Sequence, residues 1–145
     1  MATINISEST VIGKIKRHLS AIGKRLYNKD GKNLFSDITL SSVETELLSQ
    51  YIQTSAHDIE GVLKQFITSS TVASTITIEI QNTRGDTDFA NRVTDMIGMY
   101  LVLTSVGEYL SMTHPDIAQK YQRDAQQRME MLIAYVFYKK PPTNS

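Results

Sequence analysis

Apolar residues near the start of the chain recur at intervals of three and four positions. These residues are Ile12, Ile15, Leu19, Ile22 and Leu26. This spacing places the apolar residues in one narrow stripe along a helix and therefore predicts a first helix here. The basic residues of this stretch and His18 fall outside the stripe, and the turn residues at 28–33 end the pattern.

A second helical pattern starts at Ser41, with Glu44 three residues later in the arrangement of a capping box. We expect this helix to run to about Ile67, because apolar residues keep recurring on one side up to that position. The residues predicted to be buried are Leu47, Leu48, Tyr51, Ile52, Ile59, Val62, Leu63, Phe66 and Ile67.

A strand is predicted after the second helix, in a stretch rich in Ser and Thr. Ile76, Ile78 and Ile80 alternate there with Thr77 and Glu79, which gives a strand with one apolar face. Shorter alternations at residues 3–7 and 37–40 are candidate partner strands. A lone strand in a helical chain has unpaired edges, and such edges pair readily with a second chain. The three isoleucines are therefore predicted to lie at an oligomer interface.

Two further helices are predicted in the last third of the chain. The third starts near residue 87 or 88 and ends before His114, and Pro115 suits the first turn of the fourth. The connection is short enough to force an antiparallel helical hairpin.

The fourth helix becomes apolar on more than one side towards its end. Met129, Leu132 and Val136 continue its inner stripe and are predicted to face the third helix. A second apolar face, formed by Ile133, Phe137 and Tyr138, is predicted to lie at a subunit or partner boundary. The apolar run is about ten residues long, against the roughly 20 that span a bilayer, so no membrane span is predicted.

These patterns predict a mainly α fold. It is a four-helix bundle-like domain with a short β strand or hairpin inserted between the second and third main helices. The predicted organisation is a basic N-terminal arm with an amphipathic helix at residues 1–40 and a helical domain at 41–140. The β-rich insertion occupies 70–86, and a proline-containing tail occupies 141–145.

Charge is divided unequally along the chain, although the 145 residues sum to zero. Residues 1–32 carry a net charge of +5 and the remaining residues carry −5. A split of this kind favours attraction between copies, or an acidic partner for the basic segment. The chain contains no cysteine, which excludes a disulfide scaffold and thiolate chemistry. The predicted place of synthesis is the cytoplasm.

No catalytic, metal-binding or cofactor-binding motif is evident in the sequence. His18, His57 and His114 lie in three different predicted elements, and none has a second ligand type at metal spacing. Phosphate loops and nucleophile motifs are also missing. We therefore predict that the protein is not an enzyme and binds no cofactor.

The basic side of the first helix is the candidate contact surface for a partner or for DNA. Its residues are Lys14, Lys16, Arg17, Lys24 and Arg25. Three interpretations are open: a solvated face, docking on an acidic surface of a neighbouring subunit or partner, and contact with nucleic-acid phosphates. A helix lying on a membrane surface is a fourth, weaker interpretation.

Residues 41–140 contain three helical stretches in the order SSVETELLSQYIQTSAHDIEGVLKQFI, DFANRVTDMIGMYLVLTSVGEYL and PDIAQKYQRDAQQRMEMLIAYV. This order of helices resembles the head–tail connector proteins of tailed bacteriophages. The matching positions are Ala56 to Ile59, Ile97 to Leu101, and then Tyr121, Ala125 and Leu132. The chain departs from the pattern in its basic first 32 residues and its proline-containing end.

The resemblance implies a virion structural protein, assembled in the host cytoplasm, that forms a homo-oligomeric ring of about twelve copies. Such a ring lies in the neck between the portal protein and the tail proteins, and serves as adaptor and gasket for DNA passage. Non-specific contact with packaged DNA is a further expectation for the basic helix. The alternative hypothesis is a small helical nucleic-acid-associated or regulatory protein that uses the same helix to bind phosphates.

Overall fold

The structure, a computed structural model, describes residues 1–25 and 42–137, with side chains described for 1–22 and 45–137. Its elements are β1 (Ala2–Ser7), α1 (Glu8–Arg25), α2 (Ser42–Val62), β2 (Ile67–Val72), β3 (Thr75–Ile80), α3 (Phe89–Leu110) and α4 (Pro115–Phe137). The described residues are mainly helical, and a β-hairpin lies between α2 and α3. The predicted fold class is confirmed.

The sheet contains three antiparallel strands in the order β1–β3–β2. Pairing places Ile4 and Ile6 of β1 opposite Ile78 and Ile76 of β3, and all four side chains are buried. The residues between them are Thr, Asn and Glu and point to the other face. The sheet therefore packs one face on the helices and presents a polar face to solvent.

The central position of β3 corrects the prediction that one of its edges pairs with another chain. Both edges of β3 are occupied within the chain, by β1 on one side and β2 on the other. Ile76, Ile78 and Ile80 are 0% exposed and belong to the core of the single chain. The predicted partner at residues 3–7 is confirmed as β1, and the alternation at 37–40 lies outside the described residues.

The start of the chain belongs to the same core and is not a separate arm. β1 forms an outer strand of the sheet, and α1 follows it directly and packs against α2 and α3. Ile15, Leu19 and Ile22 of the predicted stripe are buried, together with Val11. Leu26 lies outside the described residues. Residues 1–22 therefore contribute to the hydrophobic core.

Helix α2 ends at Val62, five residues earlier than predicted. The next residues form a turn in which the Phe66 amide donates to the Leu63 carbonyl, at 2.9 Å. Ile67 then begins β2, because a run of Ser, Thr and β-branched residues pairs with β3 through a bulge. The side chains of the predicted capping box, Ser41 and Glu44, lie outside the described residues.

Helices α3 and α4 form the predicted antiparallel hairpin, and Pro115 is the first residue of α4. Phe89 at the start of α3 stacks on Tyr135 at the end of α4, with 5.7 Å between ring centroids. Near the other end, a Cβ added to Gly107 would lie 3.1 Å from Gln122 Cγ. The two helices are therefore in close contact along their whole length.

The inner stripe of α4 lies where the sequence predicts it. Leu132 and Val136 are 0% exposed and Met129 is 7% exposed, all within the shared core. None of the helices in the described residues is long and apolar enough to cross a membrane.

Candidate functional site

The basic residues of α1 lie on two different sides of the helix. Lys14 and Arg17, three positions apart, line a groove between α1 and α3, whereas Lys16 is exposed outside that groove. Neither Lys14 nor Arg17 forms an ion pair among the described side chains. The side chains of Lys24 and Arg25 lie outside the described residues. Only part of the predicted basic set is therefore brought to one surface.

The groove between α1 and α3 has a volume of about 600 Å³. The α1 wall is formed by Thr10, Lys14, Arg17 and His18, and the α3 wall by Thr94, Asp95, Gly98 and Met99. The floor is formed by Val11 and Val102, and one end is closed by Asn5, Ile6 and Ser7 of β1. The groove is open at Gly98, where an added Cβ would meet nothing within 4 Å. Met99 is 36% exposed and adds an apolar surface. The groove, referred to below as the α1–α3 groove, combines cationic and apolar surfaces.

His18 joins α1 to α4 at one end of the α1–α3 groove. Its Nδ1 lies 3.1 Å from the Tyr121 hydroxyl, and the two rings meet edge to face with 5.7 Å between centroids. Burial lowers the pKa of the imidazole below its ordinary value of 6.5, because the charged form loses solvation. The neutral ring is therefore favoured, and this histidine stabilises the contact between α1 and α4.

The other two histidines make local contacts. His57 Nδ1 lies 2.6 Å from Glu60 Oε1 on the exposed side of α2, and Glu60 also accepts a hydrogen bond from Ser70 in β2. His114 lies beside the Thr113 hydroxyl at the connection between α3 and α4. Within residues 1–22 and 45–137, no three His, Asp or Glu side chains are grouped in a way that could hold a metal ion.

The end of α4 forms a second candidate surface. Phe137 packs edge to face on Phe66, with 4.8 Å between ring centroids, and remains 40% exposed. A depression of about 470 Å³ lies beside it, lined by Gly61, Val62, Lys64, Gln65 and Phe137. Ile133 is half-buried against the chain's own core, and Tyr138 lies outside the described residues. Of the two residues predicted at this boundary that the structure describes, Phe137 is substantially exposed and Ile133 is not.

The loop between β3 and α3 holds the end of α4 in place, a contact that the sequence did not predict. Thr83 Oγ1 donates to the Val136 carbonyl at 2.6 Å, and the Arg84 guanidinium lies 4.6 Å from the centroid of the Tyr135 ring. The loop itself turns at Gly85, where φ is 69°, with the Gly85 amide donating to Asn82 Oδ1 at 2.8 Å. In the sequence, Asn82 three residues before Gly85 predicts the turn, but it does not show that the loop contacts α4.

Acidic residues next to this loop form local ion pairs. Asp86 pairs with Arg84 at 3.3 Å, and Asp88 pairs with Arg92 at 2.7 Å. Asp88 occupies the N-cap position of α3 without a side-chain cap hydrogen bond, because its carboxylate turns to Arg92. These carboxylates therefore stabilise the loop and the first turn of α3.

Comparison with known proteins gave no match. No protein-family model, curated protein or solved structure matched this chain. The functional hypotheses therefore rest on the residues and surfaces described above.

Proposed function

We propose that this chain is a structural subunit of a homo-oligomeric ring, of the kind found in the neck of tailed bacteriophages. In this role it lies in the virion between the portal protein and the tail proteins, and acts as adaptor and gasket for DNA passage. The order of its helices supports this proposal through the resemblance given above. The α3–α4 hairpin, which carries two of the three resembling stretches, is the most extensive helix contact in the described residues.

The observation that carries the proposal is the exposed aromatic end of α4. Leu132 and Val136 are buried on the inner side of the helix, whereas Phe137 is 40% exposed beside a depression. Burying a whole Phe side chain stabilises by roughly 1.5–3 kcal/mol, so covering the exposed part of Phe137 contributes about 1 kcal/mol per contact. Association costs at least about 4 kcal/mol per contact, so the Phe137 contribution is one part of each interface around a closed ring.

The test compares two aspartate substitutions on the same helix. Phe137→Asp should leave the monomer folded and weaken self-association, because the charge is placed on a surface that is open in the monomer. Leu132→Asp should unfold the monomer, because an unpaired carboxylate would lie in the core. Circular dichroism reports folding, and native mass spectrometry with electron microscopy of the full-length chain reports rings.

Two results would count against the proposal. A wild-type chain that stays monomeric at every concentration reached would remove its basis. Equal unfolding by both substitutions would show that Phe137 belongs to the core of the monomer and is unavailable for an interface.

A further inference from the structure

Helix α2 carries charge of a single sign, opposite to that of α1. Residues Ser42–Val62 contain four acidic residues and no Lys or Arg. Helix α1 contains five Lys or Arg, and its one acidic residue, Glu8, is 8% exposed. These two helices lie in the same chain, yet no ion pair joins them among the described side chains. Each copy therefore carries a cationic and an anionic helix that pack against each other without an ion pair among the described side chains.

We propose that the α1–α3 groove of one copy receives the beginning of α2 from a second copy. The inference rests on the proposed function, because it requires self-association, and it adds which surfaces meet. The docking residues on α2 are Glu46, Leu47 and Gln50, which are exposed and lie within two helical turns.

Charge is the first complementary feature of the two surfaces. Lys14 and Arg17 form the cationic wall of the groove, and Glu46 presents a carboxylate from α2. Opposite charges on two such surfaces attract over about 8 Å at physiological salt and increase the rate of correct encounter. The pairing places the unpaired cations of one copy beside a carboxylate of the next.

Apolar contact is the second complementary feature. Leu47 is 38% exposed directly beside Glu46 and gives this part of α2 an apolar side chain at its surface. The groove offers an exposed Met99 and an open position at Gly98 on its α3 wall, opposite the cations. A helix laid in the groove with Glu46 towards α1 directs Leu47 towards these residues. Helix-in-groove recognition uses this combination of an apolar anchor and flanking charge.

Asp95 distinguishes a helix from a nucleic acid as the occupant. This carboxylate lies on the α3 wall of the groove and is exposed. A nucleic-acid strand carries negative charge along its whole length and would bring phosphates towards Asp95. The docked beginning of α2 instead brings the exposed carboxylate of Glu46, which faces Lys14 and Arg17 on the α1 wall and lies away from Asp95 on the α3 wall. The groove therefore suits a helix start with an acidic side better than a chain of phosphates.

A contact between two different surfaces links copies head to tail. The groove and the α2 surface are different parts of one chain, so each copy uses one to receive its neighbour and the other to dock on the next. Contacts of this heterologous type close into a ring when the rotation between copies permits.

A charge-exchange experiment on the full-length chain tests the contact. The first variant carries Lys14→Glu with Arg17→Glu, and the second carries Glu46→Lys with Gln50→Lys. Each alone should weaken self-association by about tenfold or more, because like charges then face each other at every contact. An equimolar mixture should restore assembly, because each variant's groove then matches the other variant's helix. Mass photometry over a concentration series measures both results.

The matched control is Lys16→Glu, which changes the same type of charge on α1 outside the groove and should leave assembly unchanged. If the wild type assembles and the first variant assembles equally well, the groove contact is refuted while the proposed function stands. If the wild type is monomeric throughout, both fail together. A mixture that stays dissociated also refutes the contact. Loss of binding to a fluorescent duplex DNA in the first variant, with assembly intact, would assign the groove to phosphates.

Discussion

Three helical glycines allow the packing of α1 and α3 to be tested by adding a single methyl group. A Cβ at Gly13 or Gly98 would meet nothing within 4 Å, whereas one at Gly107 would lie 3.1 Å from Gln122 Cγ and 3.5 Å from the Ala118 carbonyl oxygen. Replacing Gly by Ala inside a helix stabilises by about 1 kcal/mol when the methyl group has room. Gly13→Ala and Gly98→Ala should therefore each raise the melting temperature by about 3 °C in a chain of this length.

Gly107→Ala should gain little or nothing, because Gln122 must move to admit the methyl group and the resulting strain offsets the helical gain. Calorimetry and urea unfolding on the three single variants measure these differences. A gain at Gly107 equal to that at Gly98 would refute the close approach of α3 and α4 described here. A loss of stability at Gly98 would show that this position is already covered within the monomer. Gly98→Leu fills the groove and should weaken self-association, while Gly13→Ala should leave self-association unchanged.

Two further outcomes follow from the fold. Thr77→Pro should prevent stable folding of the monomer, because β3 is paired on both sides and proline lacks the amide hydrogen that a central strand needs. A native circular dichroism spectrum for this variant would contradict the strand order. The pKa of His18 is lowered in the folded chain, so the imidazole binds a proton more readily in the unfolded chain. The free energy of unfolding should therefore fall as pH drops below 6.5 towards the pKa of the folded state. His18→Gln should reduce this dependence while keeping a polar group near Tyr121, and urea unfolding at a series of pH values measures it; an unchanged slope would show that His18 titrates normally.

The positions of the helices could be predicted because each has a clear apolar stripe. The apolar stripe of α4 predicts which side of the helix is buried, and Pro115 predicts where the helix starts. The alternation at residues 3–7 gave β1 in the same way. Periodicity shows which side of an element is buried, however, and not which element covers it. For this reason the sequence predicts an interface between chains for Ile76, Ile78 and Ile80, whereas β1 and β2 lie on either side of their strand.

The candidate site was only partly accessible from the sequence. The excess of basic residues marked α1, but helical spacing alone did not show that Lys14 and Arg17 face α3 while Lys16 does not. The opposite wall depends on tertiary packing, since Asp95 and Met99 look like ordinary surface residues of a long helix. Ile67 was assigned to α2 because an apolar residue at the end of a stripe suits a helix and a strand equally well.

The pairing of β1 with β3 has a consequence for synthesis on the ribosome. Ile4 pairs with Ile78, so the first strand leaves the ribosome long before its partner exists. At roughly 5–20 residues per second, that interval lasts roughly 4–15 s. Until β3 has been synthesised, the apolar side of β1 and the apolar stripe of α1 cannot be buried in the core, and closing so long a loop is slow. The apolar residues of β1 and α1 thus stay exposed on the nascent chain during this interval, and slowing translation before Ile80 should increase aggregation.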